Sequence, residues 1–369
     1  MCLCTHFVVM RTWGVINSFG VFQSYYVDLL GREPSDISWI GSLQVFLTFF
    51  IGTFAGRFTD AGFFRPVTLA GTAFTALGIF ATSAATQYWH LILAQGLCVG
   101  IGSGCLFCPA ISTLSTYFSK RRALVIGIAA SGSGTGGLIF PAMARQLLPA
   151  VGFGWAVRAI GFVQVATLLI ANVFMRSRLP PRRTGSLVEW GAFREIECQS
   201  TSAITPALSY TDSLNLLLVM NGVGLFGRML PSLFADRVGP LNLLIPASLL
   251  CAICLFAWIA VADPASMYVW AIFYGIFSGA MQSMFPAGLS SLTTDLQKQG
   301  TRMGMVFTIV SFAVLVGTPA AGALITAMDG SYLGAQVFTG FCVMVGVSFL
   351  LGARSARMRK TGAGWAVKM

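Results

Sequence analysis

The sequence predicts an all-α polytopic membrane protein, with about eleven spans arranged as two helical bundles that are related by a parallel repeat. Three observations predict this class: the composition, the row of apolar windows, and landmarks that recur at one offset. Of the 369 residues, 56% are hydrophobic and 9% are charged, whereas soluble domains carry about 25% charged residues. Since a spanning helix uses about 20 apolar residues, most of this chain is expected to lie in lipid.

Eleven apolar windows follow one another along the chain. They cover residues 7–29, 38–58, 67–86, 91–115, 121–145, 155–175, 209–231, 241–261, 268–290, 303–327 and 334–353. The connections are short and polar except for a run from Arg176 to Ser209, which is too polar and too interrupted by proline to be a span. The run predicts an N-terminal six-helix bundle at 1–178, a cytoplasmic linker at 179–208 and a C-terminal bundle of about five helices at 209–369.

The basic residues predict the orientation of the first bundle. With the N-terminus inside, ten Lys and Arg residues fall in its cytoplasmic connections and three in its outer connections, as the positive-inside rule requires. The net charge of +11 therefore indicates membrane orientation rather than a nucleic-acid partner. The stretch from Phe7 to Leu30 has no small-residue cleavage site and is expected to be a retained helix rather than a signal peptide.

Composition also disfavours metal and disulfide chemistry. The two histidines, His6 and His90, have no partner at metal-ligand spacing. The nine cysteines are scattered, mostly through apolar stretches, and are interpreted as small core residues. We expect no cofactor.

Landmarks repeat between the two halves. Four pairs recur at nearly one offset: Asp60 and Asp236 (176 residues), Pro109 and Pro286 (177), Gly127 and Gly304 (177), and Pro141 and Pro319 (178). Such a repeat is typical of transporters whose substrate site lies at the midplane between two bundles.

Two acidic loops predict a conformational gate. Asp60 and Asp236 each end a helix and begin a short basic loop, where a carboxylate can pair across the bundles and hold one conformation closed. The expected gate residues are Asp60, Arg65, Lys120, Arg121, Arg122, Asp236 and Arg237. The alternative is a pair of solvated turns.

Several stretches resemble the major facilitator superfamily and, within it, the fungal branch of the monocarboxylate porter family. The resemblance extends from residue 14 to residue 354, and its most specific part is the aromatic and triple-basic cluster that precedes a glycine-rich span. The stretches are Asn17–Phe22, Asp36–Ser42, Tyr117–Leu124 with Gly127, Ala129 and Gly132, Gly227–Arg228 with Ala235–Arg237, and Gly300–Gly304. The resemblance implies the facilitator fold and a transport function.

Arg228 is the leading candidate for substrate recognition. It lies within an apolar segment, where an ionisable residue must face a wet cavity or a partner. By the resemblance, its position eight residues before Asp236 matches the substrate-orienting arginine on the eighth helix of animal monocarboxylate carriers. The alternatives are that Arg228 snorkels to the cytoplasmic surface or joins the loop network of Asp236.

Other features of those animal carriers are missing. They pair the arginine with an acidic residue one turn earlier, where this chain has Gly224, and they use a lysine where it has Asn17. The twelve acidic residues fall in loops or near span ends, so we expect no mid-membrane carboxylate to carry a proton.

Further polar residues in the spans are expected to line the substrate cavity with Arg228. They are Asn17, Gln23, Asn221, Tyr274 and Gln282. Such a lining suits a neutral or singly anionic organic molecule; the alternative for each residue is an interhelical hydrogen bond.

The leading hypothesis is a secondary transporter in the plasma membrane that moves a small monocarboxylate-like or neutral aromatic solute by alternating access. An efflux permease for a fungal secondary metabolite, a substrate-sensing receptor and a transport-deficient isoform remain alternatives. Two histidines and loop carboxylates do not assemble into a catalytic site, which disfavours an enzyme. The expected partners are a small-molecule substrate and the lipid bilayer.

One helix of the normal twelve, the seventh, is expected to be missing. Between the sixth span and Asp236 only the window 209–231 can cross the membrane, yet the arginine-rich linker and the loop of Asp236 should both be cytoplasmic. A hairpin that does not span, an inverted second bundle, or a gene-model or splicing defect would relieve this conflict. The prediction is an open slot where the seventh helix should pack.

Overall fold

The computed structural model describes residues 1–118, 120–178, 210–261, 263–293, 295–329 and 331–361. Helices account for nearly all of them. In the first half they are α1 (Cys2–Asn17), α2 (Phe19–Leu30), α3 (Pro34–Asp60), α4 (Phe64–Thr82), α5 (Tyr88–Leu91), a π-helical segment (Ile92–Val99), α6 (Gly100–Tyr117), α7 (Arg122–Ala130) and α8 (Gly132–Phe174). In the second half they are α9 (Tyr210–Val238), α10 (Pro240–Ala257), α11 (Pro264–Leu292), α12 (Gln299–Ala327) and α13 (Leu333–Thr361).

Each of the eleven apolar windows falls on helix. By length and hydropathy, eight helical runs among the described residues can cross a membrane. The difference between the eleven apolar windows and the eight spanning runs has three local causes. The first window is divided at Ser18 between α1 and α2, two further windows share one continuous run of 53 residues from Arg122 to Phe174, and α11 is rich in small and polar residues.

The bend within α8 turns one helix into two membrane-crossing arms. Gly152 has φ +74° and ψ 171°, which lie outside the helical region. A side chain would be strained at this φ, and Pro149 removes a helical hydrogen-bond donor just before it. The chain therefore reverses at Gly152 between two of the apolar windows.

The two bundles meet mainly in two regions, one formed by α3 and α12 and the other by α7, α8 and α9. α3 of the first bundle packs on α12 of the second, and α7 and α8 pack on α9. Within the second bundle α9 packs on α11, while α10 packs on both α11 and α13. The inter-bundle pairs place the Asp60 end of α3 beside the first turn of α12, and the Asp236 end of α9 beside the first turn of α7. This end of the molecule is called the aspartate end below.

Arg176 and Asn215, on either side of the predicted linker, lie at opposite ends of the molecule. The Tyr117 hydroxyl donates to the Arg176 carbonyl at 2.8 Å, next to the start of α7 at the aspartate end. By contrast, Arg145 donates to the Asn215 side chain at 2.9 Å, near the bend of α8 at the opposite end. The predicted linker at 179–208 lies outside the described residues.

α12 packs unevenly. Its main contacts are with α3 of the other bundle, and its contacts with α11 and α13 of its own bundle are few. Phe312 and Val316 are 53% and 64% exposed, and a Cβ added at Gly317 or Gly322 would meet no atom within 4 Å. One side of α12 therefore lacks a neighbouring helix among the described residues.

Candidate functional site

Asp60 joins the two bundles by binding the beginning of a helix. At the end of α3, its carboxylate accepts the backbone N–H of Gly300 at 3.2 Å, and the backbone N–H and hydroxyl of Thr301, both at 2.8 Å. Both residues lie in the first turn of α12, where N–H groups have no partner within the helix and the helix dipole favours a negative charge.

Asp236 makes the equivalent contact from the second bundle to the first. At the end of α9, its carboxylate accepts the backbone N–H groups of Ala123 at 2.9 Å and Leu124 at 3.0 Å, in the first turn of α7. The donors of the two sites are related by the internal repeat, since Gly300 − Ala123 is 177 residues and Asp236 − Asp60 is 176. The two contacts are thus equivalent under the repeat.

The five basic residues of the expected gate lie in different environments. Arg122 spans the bundles, donating to the Ser290 carbonyl on α11 at 3.2 Å and to the Phe118 carbonyl at 3.2 Å. The other four, Arg65, Lys120, Arg121 and Arg237, are exposed. The hydrogen bonds described above for the two carboxylates come from backbone N–H groups and, at Asp60, also from the Thr301 hydroxyl.

Glycines allow the bundles to approach closely behind both aspartates. A Cβ at Gly127 of α7 would overlap Ser232 of α9, and a Cβ at Gly304 of α12 would lie 2.5 Å from the Cα of Thr53 on α3. Thr53 also donates to the Gly304 carbonyl at 2.8 Å and contacts the hydroxyl of Thr308. The repeated glycines found in the sequence therefore lie on the two inter-bundle contacts.

Arg228 is buried inside the second bundle. It is 3% exposed, and its Nη2 donates to the Gln282 side-chain oxygen at 2.9 Å. Its Nε and Nη1 are buried without a hydrogen-bond partner. Both alternatives for Arg228, snorkelling to the surface and pairing with Asp236, are therefore wrong in this conformation.

The position one turn before Arg228 is filled by the arginine itself. A Cβ at Gly224 would lie 2.6 Å from Arg228 Nη1. The guanidinium thus occupies the space that an acidic side chain would need. This explains in physical terms how a glycine and a buried arginine coexist at these two positions.

Asn17 and Asn221 link the bundles between Arg228 and the opposite end. The Asn17 amide donates to Asn221 Oδ1 at 3.2 Å and to the Ser133 carbonyl at 3.4 Å. Asn221 lies against Gly137 of α8, where an added Cβ would be 2.6 Å from the asparagine Cγ. Because Asn221 and Arg228 are seven positions apart in one helix, the two residues lie about 10 Å apart along α9.

Two expected cavity residues lie elsewhere. Tyr274 packs in the core of the second bundle, stacked on Trp270 with ring centroids 4.9 Å apart. Gln23 is half-buried on α2, the helix that follows Asn17 in the chain. The structure therefore groups Asn17 with Asn221 and Arg228 with Gln282, and it does not bring Tyr274 to either pair.

An aromatic cluster between the bundles was missed by sequence reasoning. It consists of Trp13, Phe49, Phe107, Phe285 and Phe307, which come from five helices, and is called the central aromatic cluster below. The Phe49 and Phe307 rings, from opposite bundles, have centroids 5.1 Å apart, and Trp13 lies 5.6 Å from Phe49. Isolated aromatics in apolar windows gave no signal that they would meet.

Buried Arg11 was also missed, although a charged residue inside the first apolar window was a usable signal. It lies in the core of the first bundle, away from the inter-bundle contacts.

Comparison with known proteins agrees with this geometry. Residues 2–207 match the model of the Major Facilitator Superfamily. An MFS-type transporter of Gibberella zeae is 54% identical over 95% of this chain and 85% of its own length. The aspyridones efflux protein apdF of Emericella nidulans is 33% identical over 97% of this chain and 77% of its own length. The crystal structure of the human organic anion transporter MFSD10 superposes with a TM-score of 0.72 at 13% identity, over 94% of this chain and 98% of that one.

The helical bundles, their repeat-related contacts and these similarities lead to one assignment. The chain is a multi-pass integral membrane protein, and it belongs to the Major Facilitator Superfamily of transporters.

Proposed function

We propose that this protein is an efflux carrier that exports a small organic metabolite across the plasma membrane by alternating access. The observation that carries the proposal is Arg228, a buried guanidinium with two hydrogen-bond donors left unpartnered between α9 and α11. A relative that is 33% identical along 97% of this chain is named an efflux protein, which supports export as the direction of transport.

Arg228 favours a substrate with a single negative charge or a strong acceptor. Hydrogen bonds to a charged partner are stronger than neutral ones, and Gln282 Oε1 keeps the guanidinium oriented. The amides of Asn17 and Asn221, together with the central aromatic cluster, add polar and apolar surface that suits a ring-containing organic acid.

The two aspartate contacts fit a gate that closes the aspartate end. Each connects the bundles by one carboxylate and one helix beginning, so that both must break when the bundles rock apart. In this proposal Asp60 and Asp236 stabilise the closed state of the aspartate end, and Arg122 adds a third link through the Ser290 carbonyl.

The resemblance to the fungal monocarboxylate porter family remains part of the proposal. The buried Arg228 at the expected position supports it. Gly224, which leaves room for the guanidinium rather than for an acid, favours a mechanism different from that of the animal carriers.

We further propose that the seventh helix of the fold is missing. Two observations support this. Arg176 lies at the aspartate end and Asn215 near the opposite end, and the polar, proline-containing sequence between the sixth span and residue 209 has no apolar window long enough to cross the membrane. The exposed side of α12 is where a further helix would pack.

The test compares export of matched pairs of compounds, an aromatic carboxylic acid and its amide, from cells that express the protein. Cells that express the wild-type protein should retain less of both compounds than cells with an empty vector. Arg228→Gln should slow export of the acid by about tenfold or more, because a hydrogen bond to a charged group contributes about 1.5–3 kcal/mol. Its effect on export of the amide should be smaller. Arg32→Gln is the matched control because Arg32 is exposed. Equal loss for acid and amide would make Arg228 structural.

The second candidate is a transport-deficient isoform, and the unpartnered side of α12 favours it. It predicts a protein that reaches the membrane, retains the aspartate contacts and exports no compound of the panel above the empty-vector control.

A further inference from the structure

Arg11 places a positive charge in the core of the first bundle. The residue is fully buried on α1. Its Nε donates to the Gln164 side-chain oxygen on α8 at 3.2 Å, and its Nη1 donates to the Ser103 hydroxyl on α6 at 2.6 Å. Its Nη2 is buried without a hydrogen-bond partner.

Both partners of Arg11 are neutral. Ser103 and Gln164 can accept hydrogen bonds but cannot balance a charge. A buried ion without a counter-charge is strongly unfavourable in a low-dielectric interior, because it loses hydration and gains no Coulombic attraction. The site therefore requires a negative charge that the described residues in contact with Arg11 do not supply.

Gln164 presents a second unpartnered donor. Its Oε1 is taken by Arg11 Nε, and its Nε2 is buried without an acceptor. The two unpartnered donors, Arg11 Nη2 and Gln164 Nε2, belong to side chains that are bonded to each other. An arrangement with two unused donors, one of them cationic, calls for an acceptor with negative charge.

Gln164 is also part of the wall of a cavity inside the first bundle. The cavity is small and is lined by α1, α2, α4, the π-helical segment and both arms of α8. Most of its wall is apolar, with Phe22, Tyr26 and Phe140 among the lining residues. The two unpartnered donors are enclosed by side chains, so an anion would reach them only after the side chains around this cavity move apart.

The π-helical segment shapes the same region. Its last residue, Val99, lines the cavity and accepts the Ser103 hydroxyl at 2.7 Å, which leaves the Ser103 oxygen lone pairs for Arg11. Tyr26 donates to Gln95 of the same segment at 2.7 Å. Short π-helical segments within α-helices often lie at functional sites.

We propose that Arg11, with Gln164, binds a monovalent anion in the core of the first bundle, separate from the substrate residues of α9 and α11. The ligand is either a small inorganic anion such as chloride or the carboxylate group of an organic acid, since the two share the charge and the acceptor capacity that the unpartnered donors require. The bound anion neutralises Arg11 and stabilises the bundle.

The test measures the thermal stability of the purified full chain in nanodiscs at constant ionic strength, so that it does not depend on transport. Gluconate, which is large and hydrophilic, is replaced stepwise by chloride, bromide, acetate or benzoate. We expect a saturable rise in the Tm of wild type, as binding to the folded state requires. If chloride and bromide raise the Tm most, the ligand is an inorganic anion. If acetate or benzoate raises it most, the ligand is a carboxylate.

Three variants locate the site. Arg11→Gln should abolish the anion-dependent rise in Tm. Gln164→Glu supplies a fixed negative charge beside Arg11, and should abolish the dependence while keeping the Tm in gluconate at or above that of wild type. Because Arg228 of the other bundle is itself proposed to bind a carboxylate, the same measurements are repeated in an Arg228→Gln background, where the anion dependence that Arg11 confers should persist.

The proposal is overturned if the Tm of wild type is the same in all these salts, which would leave buried water as the partner of the two donors. It is also overturned if Arg228→Gln removes the dependence and Arg11→Gln retains it. Should Arg11→Gln fail to fold, Gln164→Glu decides the matter: persistence of the anion dependence in that variant refutes the site.

Discussion

Replacing Asp60 with Asn removes the charge that connects the end of α3 to the first turn of α12. The carboxylate now accepts three hydrogen bonds, from the N–H groups of Gly300 and Thr301 and from the Thr301 hydroxyl. An asparagine side chain has one acceptor oxygen, and its NH₂ group would face donor groups of Gly300 or Thr301 that now bind the second carboxylate oxygen. We therefore expect the closed state of the aspartate end to lose stability while the apolar spans still insert.

The size of the effect follows from the contacts. A hydrogen bond to a charged group contributes about 1.5–3 kcal/mol, and a negative charge at a helix beginning contributes about 0.3–1 kcal/mol. With one neutral hydrogen bond retained, a net loss of about 2 kcal/mol is expected. Since each 1.4 kcal/mol is a factor of ten, the open population should rise by about 30-fold.

The native Cys108 is a reporter for this opening. It is fully buried on α6, and its Sγ lies 3.8 Å from the Gly300 carbonyl. In a background without the other cysteines, the rate at which a membrane-permeant maleimide labels Cys108 should follow the open population and rise by the same factor of about 30. Asp28→Asn is the matched control, because Asp28 is exposed on α2.

An unchanged labelling rate in Asp60→Asn, with the protein inserted at the wild-type level, would show that the carboxylate does not stabilise the closed state. Failure of the variant to insert would assign Asp60 to folding instead. Either result would refute the gate.

Three further predictions concern the second bundle. Gly224→Ala should displace the Arg228 guanidinium and reduce export, because the added Cβ would lie 2.6 Å from Nη1, whereas Gly222→Ala meets only Leu138 at 3.7 Å and should be tolerated; export assays on both variants test this. Asp236→Asn should open the contact between α9 and α7 without preventing insertion, as measured by cross-linking of cysteine pairs placed across that contact. If the seventh helix is missing, cysteine-accessibility mapping that includes positions 190 and 240 should find no membrane-crossing helix within residues 183–208, and finding such a helix would refute the missing span.

Local properties explain what could be predicted from sequence. The membrane class and the eleven windows follow from runs of apolar residues, which favour helices in lipid whatever their neighbours. Asp60 and Asp236 were found because a repeat is visible in one dimension. Arg228 was found because a charge within an apolar window must be accommodated by a partner or a cavity.

The partners of these residues could not be predicted in the same way. The sequence predicted that Asp60 pairs across the bundles, but only the structure identified its partners, which lie on α12, 240 residues along the chain. Four of the basic gate residues remain at the surface, and Tyr274 faces the core of its own bundle. Which side of a uniformly apolar helix meets another helix leaves little trace in its composition.

The sequence by itself therefore determined that the chain spans the membrane as two related sets of helices, because hydropathy and repetition are properties of the chain alone. Only the tertiary structure decided which helix beginnings neutralise the two aspartates, which aromatic rings meet between the bundles, and that Arg11 lies in the core of the first bundle with only neutral partners. The physical reason is that these features depend on side chains from distant helices arriving at one place, and no single segment carries that information.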